Sequence, residues 1–477
     1  MMKKRILTFL FTLTAVVALH AAAPYYIFYF IGDGMGHGQV MSAASARSAR
    51  GDSALTMMTF PVASLATTYS ASSPVTDSAA AGTALASGRK TANGMLGVTP
   101  DTVAAGSLAA RLQQLGYGVG LVTSVAIDDA TPGAFYAHVP QRGQYYDIGI
   151  QAARSGYEFL AGAGLRGLRD RSGRPTDLLP ELARNGYDVV RGLDALAASG
   201  SRKIMLLSTD TLSPNSIGYA IEASEGAMRL PDMTGAALAH LGKVSPDQFF
   251  MMVEGGAIDH AGHANDAATV IADVEEFDKA LQRAVDFYKA HPEETLIVVT
   301  ADHETGGMTV GNTASGYMAR MGLLSAQKMS KDKMAEMIKN MLRQRRVYGW
   351  DDIRSMLAEN LGLWSAIPVS EEQEKALEEA YRKVFVDRDA EDTETLYARF
   401  DPLTMKAFEI IDATTGAGWT SVHHTGNPVP VFALGVGAQE FSAMRDNTDI
   451  PKTILRIVET YRDPSPMMRD PKIGNKH

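Results

Sequence analysis

Apolar residues along this chain gather in short, nearly continuous runs, separated by stretches in which they recur at helical spacing. The runs cover residues 25–31, 118–123, 204–207, 249–253, 296–300 and 429–434. Runs this short, with little alternation, read as strands buried on both faces, and hence as parallel strands. The helical patterns between many of them give the strand–helix alternation of an α/β protein. The expected fold is a three-layer α/β/α sandwich with a central, mostly parallel sheet. Polar residues sit just past the runs: Asp33, Asp129, Glu254, Asp302 and His303. Ligand crevices of open α/β sheets lie outside the carboxyl ends of the strands, so the pattern aims these acids at one rim.

Residues 313–417 differ. Met334, Met337, Ile338, Met341 and Leu342 fall on one helical stripe behind Ser330, a fitting cap. Ser370 with Gln373 forms a capping box, and Leu377, Ala380, Tyr381, Val384 and Phe385 continue an apolar stripe. This block reads as a helical insertion, crown- or cap-like, in a catalytic domain made of residues 24–312 and 418–477. The methionines read as core packing, a common use of a flexible apolar side chain. At the other end, Lys3-Lys4-Arg5, an apolar run from Ile6 to about Leu19 and Ala21-Ala22-Ala23 have the order of a secretory signal peptide over residues 1–23. The run is short for a bilayer span, which needs about 20 residues, and no later segment resembles one. Export to the periplasm or the medium is the expectation.

Composition narrows the chemistry. The 477 residues are 45% hydrophobic and 21% charged, enough for a large core and unlike a disordered chain. Net charge is −9, and would be −12 without Lys3, Lys4 and Arg5. Such a protein is a poor nucleic-acid binder by bulk electrostatics. An anionic ligand would need a local positive site, which bound metals can supply. Cysteine is absent, so disulfides and thiolate ligands are excluded and any metal must be held by Asp, Glu, His and hydroxyls.

Six constellations carry candidate chemistry. Asp33 stands between glycines in Phe-Ile-Gly-Asp-Gly-Met-Gly, residues 30–36, which reads as a turn or as a close backbone approach to a metal. Thr76-Asp77-Ser78 precedes an Ala-rich helix. That reads as a cap, or as a hydroxyl placed where free N–H groups and the helix dipole favour phosphate. Asp129 and Thr131, two apart, share one side of an extended segment and offer oxygen ligands suited to Mg²⁺. Arg142 follows, able to clamp a phosphate with two parallel bonds. In Glu254-Gly-Gly-Ala-Ile-Asp259-His260-Ala-Gly-His263, Asp259 and His263 are at i,i+4 on one helix face and can grip one metal. Asp302-His303 follows another buried run, and His423-His424-Thr425-Gly426 precedes the last. The carboxylates Asp33, Asp129, Glu254, Asp259 and Asp302 carry −5 together; three divalent ions would bring +6 and turn the cluster into a pocket for a dianion.

These motifs, in this order, resemble those of alkaline phosphatases over residues ~25–310 and ~419–436. The resemblance implies two Zn²⁺ and one Mg²⁺: Asp259, His263 and His424 on the first zinc, and Asp33, Asp302 and His303 on the second. Asp33, Thr131 and Glu254 would hold magnesium, with Asp129 acting through water. It implies Ser78 as a nucleophile that becomes phosphoserine, Arg142 as the phosphate-binding arginine, small phosphate monoesters and inorganic phosphate as ligands, and a homodimer. The insertion matches weakly. Family members often pair Asp with Lys, or His with His, at the positions of Asp129 and His260; this chain mixes the two pairs, leaving His260 either a phosphate contact or an ordinary helix residue. The rival readings are a phosphodiesterase or sulfatase of the same superfamily, or a non-catalytic exported metal- or phosphate-binding protein. Ser78 lacks the Cys/Ser-x-Pro-x-Arg context of a sulfatase, and a binding protein has no need of a hydroxyl aimed at the metals.

Overall fold

Ten strands make the central sheet of the computed structural model, which describes residues 23–210, 215–344, 346–443 and 445–462. From one edge they are Arg445–Asp446, Val62–Thr67, Val429–Gly435, Thr295–Ala301, Tyr26–Gly32, Phe249–Gly255, Gly118–Thr123, Phe159–Gly162, Lys203–Leu207 and Tyr187–Arg191. The expected signal peptide, apart from Ala23, and the tail beyond 462 lie outside the described residues. Among the described residues, no helix is long and apolar enough to cross a membrane.

Both faces of the sheet are covered, as its apolar runs require. Along the central strand Tyr26–Gly32, side chains alternate between faces. Phe28 and Phe30 meet Phe287 and Phe277 of the helix Ala267–Ala290, while Tyr29 meets Phe135 on the opposite side. The expected α/β/α layering is what forms. Six of the ten strands coincide with the six apolar runs. Val62–Thr67, Phe159–Gly162, Tyr187–Arg191 and Arg445–Asp446 were not among those runs.

One expectation is corrected. Val429–Gly435 was read with the parallel strands, but it runs antiparallel to both neighbours, Thr295–Ala301 and Val62–Thr67. A buried run says that both faces are covered, not which way the chain travels. Here His424–Thr425 pairs with Glu304–Thr305, beyond the carboxyl end of the strand Thr295–Ala301. The chain therefore enters the sheet from that rim and can only run back across it.

Register sets up the rim. Gly32 is level with Gly255 on one side and Ala301 on the other, and Glu254 is level with Thr123. The next residues out, Asp33 and Asp302, therefore emerge side by side, with Glu254 at the end of the strand between Tyr26–Gly32 and Gly118–Thr123.

Residues 313–417 contain the helices Lys331–Arg343, Trp350–Leu361, Glu371–Tyr381 and Pro402–Thr415. Ser330 caps the first, accepting from Lys333 N, and Ser370 with Gln373 closes the expected box. Met334 and Ile338 are buried, with Met337, Met341 and Leu342 packed around them. The stripe from Leu377 continues through Val384 in a π-helical turn, Arg382–Asp387. Asp266, three residues past His263, accepts from Lys331 N (2.7 Å). The Lys331 ammonium donates to Ala264 O (2.9 Å) and lies over the Phe400 and Phe408 rings. The block is thereby tied to the end of the segment that carries Asp259 and His263.

Candidate functional site

Three strand ends and a helix start meet at the rim. Gly34 turns the chain after Asp33 with φ 69°, and its N–H donates to Asp302 Oδ1 (3.1 Å). A Cβ there would lie 2.9 Å from the Asp259 Cα, so the glycine is what lets two ligand-bearing segments approach. His303 Nε2 lies 3.3 Å from both Asp33 Oδ1 and Asp302 Oδ2. The helix Ser78–Ser87 points its start at this cluster. Asp77 caps it, accepting from Ala80 N (3.0 Å), so Ser78 is the first helical residue and not the cap. Ser78 Oγ sits 3.2 Å from His303 Nε2.

Beside this lies a second triad. The helix Ala257–His263 brings Asp259 Oδ1 within 3.4 Å of His263 Nε2. His424 Nε2 comes from the far end of the chain to 3.4 Å from the same oxygen and 3.0 Å from His263 Nε2. His263 Nδ1 is 2.6 Å from Val422 O, and His424 Nδ1 is 2.8 Å from Thr76 O. A carbonyl only accepts, so both rings carry a hydrogen on Nδ1, and the two Nε2 atoms face each other. Such a pair is satisfied by a shared proton or by a bound metal, and a carbonyl accepting from Nδ1 is the usual support of a metal-bound histidine. The His303 and His424 rings stack at 3.6 Å, joining the two triads.

A third group stands on the other side of Asp33. Glu254 accepts from Thr123 Oγ1 (2.5 Å), and the Thr131 hydroxyl is buried without a hydrogen bond of ordinary geometry. Asp129 is not on an extended segment with Thr131, as the spacing had implied. It caps the one-turn helix Ala130–Gly133, accepting from Ala130 N (2.8 Å), and Thr131 lies inside that turn. The carboxylate of Asp129 faces Arg142 Nη2 (3.4 Å) and Arg166 Nη1 (3.2 Å). The other arm of Arg142 reaches Asp77 Oδ2 (3.3 Å). Arg142 thus spans the gap between the start of the Ser78 helix and the Asp129 turn. His260 lines the same small cavity.

The electrostatics of the cluster are frustrated. Burial, with the Asp302, Asp259 and Glu254 charges behind it, pushes Asp33 well above the carboxylate range. Burial likewise raises Asp302 to about 7 and Glu254 to about 8. Asp259 goes the other way: burial opposes its ionisation, but His263 and His424 outweigh it and hold the carboxyl well below its usual value. His424, also opposed by burial, is raised to about 9 by its contact with Asp259. Burial lowers His303 and His260. Asp33 Oδ1 and Asp302 Oδ2 are buried without hydrogen-bond partners. Orphaned carboxylate oxygens beside imidazole lone pairs, with no cysteine, are the donor set of divalent-cation sites, and the residues fit such ions.

The candidate nucleophile, ligand and phosphate-contact residues singled out from the sequence converge here. Four contributors escaped the sequence reading. Asp77 looked like a cap alone, yet it also holds Arg142. Arg166, stacked on Tyr145 at 3.8 Å, is aimed by Asp128, which accepts from the Arg166 and Gly167 N–H groups. Thr305 donates to Asp259 Oδ1 (2.5 Å). Tyr397, from within residues 313–417, donates to Asp259 Oδ2 (3.3 Å). Adjacency to Ser78 could have flagged Asp77, and a place two residues after His303 could have flagged Thr305; nothing local marks Arg166 or Tyr397.

A family profile described as Alkaline phosphatase matches residues 26–161 and 162–460 of this chain. Alkaline phosphatase 4 of Bacillus subtilis (strain 168) is 30% identical over 393 residues, covering 81% of this chain and 77% of the relative. Alkaline phosphatase 3 of the same organism is 30% identical over 450 residues, 91% of this chain and 88% of the relative. Among solved structures, a cold-active alkaline phosphatase from the psychrophile Shewanella sp. superposes with a TM-score of 0.76 at 26% identity, over 91% of this chain and 99% of that one.

Proposed function

The chain belongs to the alkaline phosphatase family, and from that membership we propose that it hydrolyses phosphate monoesters through a phosphoserine on Ser78. The observation that carries the reading is the position of the Ser78 hydroxyl, at a helix start and 3.2 Å from His303 Nε2 in the Asp33–Asp302–His303 triad. In this reading Asp259, His263 and His424 would hold one zinc, and Asp33, Asp302 and His303 the other. Asp33, Thr131 and Glu254 would hold magnesium, with Asp129 acting through water. When bound, the ions supply Lewis acidity and neutralise charge on the attacking and leaving oxygens.

The chain's own residues do the rest. Ser78 Oγ loses its proton to solvent and bonds to phosphorus as the ester P–O bond breaks, and the leaving oxygen takes up a proton. Arg142 holds nonbridging oxygens, exchanging its long contacts to Asp77 and Asp129 for shorter ones. The first N–H groups of the helix Ser78–Ser87 add positive potential at the same place. Water then attacks the phosphoserine, the Oγ–P bond breaks and Oγ regains a proton. Positioning and charge stabilisation supply most of the rate. Residues 313–417 form an insertion whose hairpin reaches the site, and the reading includes the homodimer of the family.

The test is acid-quenched turnover of the zinc- and magnesium-loaded enzyme with an aryl phosphate, followed by mass spectrometry of the peptide containing Thr76 and Ser78. Phosphate is expected on Ser78, and none after Ser78→Ala. Phosphate on Thr76, or turnover without any adduct in the wild type, overturns the assignment.

A further inference from the structure

Residues 313–417 send one side chain into the catalytic cluster. A hairpin, Thr393–Glu394 with Arg399–Phe400, is closed by a tight turn in which Thr395 N donates to Ala398 O (2.8 Å). Phe400 is buried under the Lys331 ammonium, which fixes the base of the hairpin. Leu396 and Tyr397 occupy its tip, 56% and 50% exposed. Such exposure is unusual for two adjacent large apolar residues beside a highly charged pocket. The Tyr397 hydroxyl is held by Asp259 Oδ2, the oxygen that does not face the two histidines. Its ring packs on His260 at 4.4 Å and meets His263 edge-on at 5.1 Å. One end of the side chain is therefore pinned to the cluster, and half of its surface is left in water.

We propose that Tyr397 is a specificity-determining residue, whose ring walls the leaving-group side of the pocket and favours monoesters with an aromatic leaving group. The inference rests on the phosphomonoesterase reading above. In an in-line displacement, nucleophile and leaving group occupy opposite ends of the reacting phosphorus. Ser78 lies against His303 and Asp33, while Tyr397 lies against Asp259, His260 and His263, so the departing group leaves toward the tyrosine. A planar group there meets a ring already immobilised by its hydroxyl, and the ordering cost of the contact has been met before binding. Offset or edge-on aromatic pairs are favoured over aliphatic contacts of the same area. Leu396, beside it on the turn, extends the apolar lip. Tyr397 also lines the small cavity shared with Arg142 and Asp33, so its ring borders the phosphoryl position from the side of Asp259 and His263.

The test uses non-hydrolysable analogues, so that chemistry does not enter. Phenylphosphonate and methylphosphonate affinities of the metal-loaded protein are measured by calorimetry for wild type, Tyr397→Ala and Tyr397→Phe. Tyr397→Ala should weaken phenylphosphonate about 3- to 10-fold, within the span of an aromatic pair, and leave methylphosphonate within about 2-fold. Tyr397→Phe, which keeps the ring but frees its end from Asp259, should lose no more than about 2-fold for phenylphosphonate and bind methylphosphonate like wild type. An equal loss of both ligands in Tyr397→Ala overturns the proposal, because the residue would then act on the phosphonate site. So does a phenylphosphonate loss in Tyr397→Phe as large as in Tyr397→Ala, which would assign the effect to the hydroxyl on Asp259. A wild type that hydrolyses no monoester sinks the functional reading, while the ligand comparison still reports on the ring.

Discussion

Replacing Arg142 with alanine separates phosphate recognition from metal binding. In the free protein the two arms of the guanidinium lie 3.3 Å from Asp77 and 3.4 Å from Asp129. Both distances are long for charge-assisted bonds, which settle near 2.7–2.9 Å, so a phosphate dianion displaces these contacts at small cost. A hydrogen bond to a charged group contributes about 1.5–3 kcal/mol. Taking about 2–3 kcal/mol for the exchange, and tenfold per 1.4 kcal/mol, Arg142→Ala should weaken inhibition by inorganic phosphate roughly 30- to 150-fold. The acids left behind stay satisfied. Asp77 keeps the Ala80 and Gly94 N–H groups, and Asp129 keeps Arg166. Loss of stability should stay below about 1 kcal/mol, the usual range for partly exposed pairs. The assay is competitive inhibition by phosphate at fixed pH, with zinc and magnesium measured on the same samples. Arg142→Lys should recover part of the loss, since it restores charge without the two-point geometry. A change below about 3-fold, or a loss of metal parallel to the loss of phosphate affinity, would refute the reasoning.

Four further outcomes are expected. Dialysis against a chelator should abolish activity and zinc with magnesium should restore it, whereas fewer than two ions per active chain would contradict the three-site reading. The chelated protein should lose thermal stability as pH rises from 7 to 9. Folded Glu254 keeps its proton to about 8 and folded His424 to about 9, while both have released it in the unfolded chain; a flat or rising midpoint would show that the cluster is relieved some other way. Asp129→His should weaken magnesium and favour a third zinc. His260→Lys should tighten phosphate at pH 9, where buried His260 is neutral and a lysine beside Asp129 is charged; unchanged affinity would make His260 an ordinary helix position.

Much of the site is legible in sequence because a parallel sheet converts strand ends into neighbours. Asp33, Glu254 and Asp302 are more than two hundred residues apart at the extremes, yet each closes a run of apolar residues, and level register brings them together. Spacing within one helix likewise placed Asp259 under His263. What escaped depends on contacts with no local signature. The direction of Val429–Gly435 is set by where the chain enters the sheet, not by its composition. Arg166 is aimed by a buried acid 38 positions earlier, through its backbone. Tyr397 reaches Asp259 across 138 positions, from a block whose pattern speaks only of helices. Asp129 and Thr131 were placed together on an extended segment, whereas Asp129 caps a one-turn helix and Thr131 lies inside it, a turn that two-residue spacing does not reveal.

The central strand also has a kinetic meaning. Tyr26–Gly32 is flanked by Phe249–Gly255 and Thr295–Ala301, so neither of its ladders can close until some 220 later residues have been made. A chain built from its amino end therefore carries seven largely apolar residues, YIFYFIG, without their native partners until more than half of it has been made. Closing loops of that length precedes any reward from the contacts, which makes such topologies slow to fold and exposed to misassociation while they wait. The strand that anchors the finished sheet is the first one made, yet it waits for partners from the second half of the chain. Its substitutions should therefore register in the yield of soluble protein before they register in the stability of what has folded.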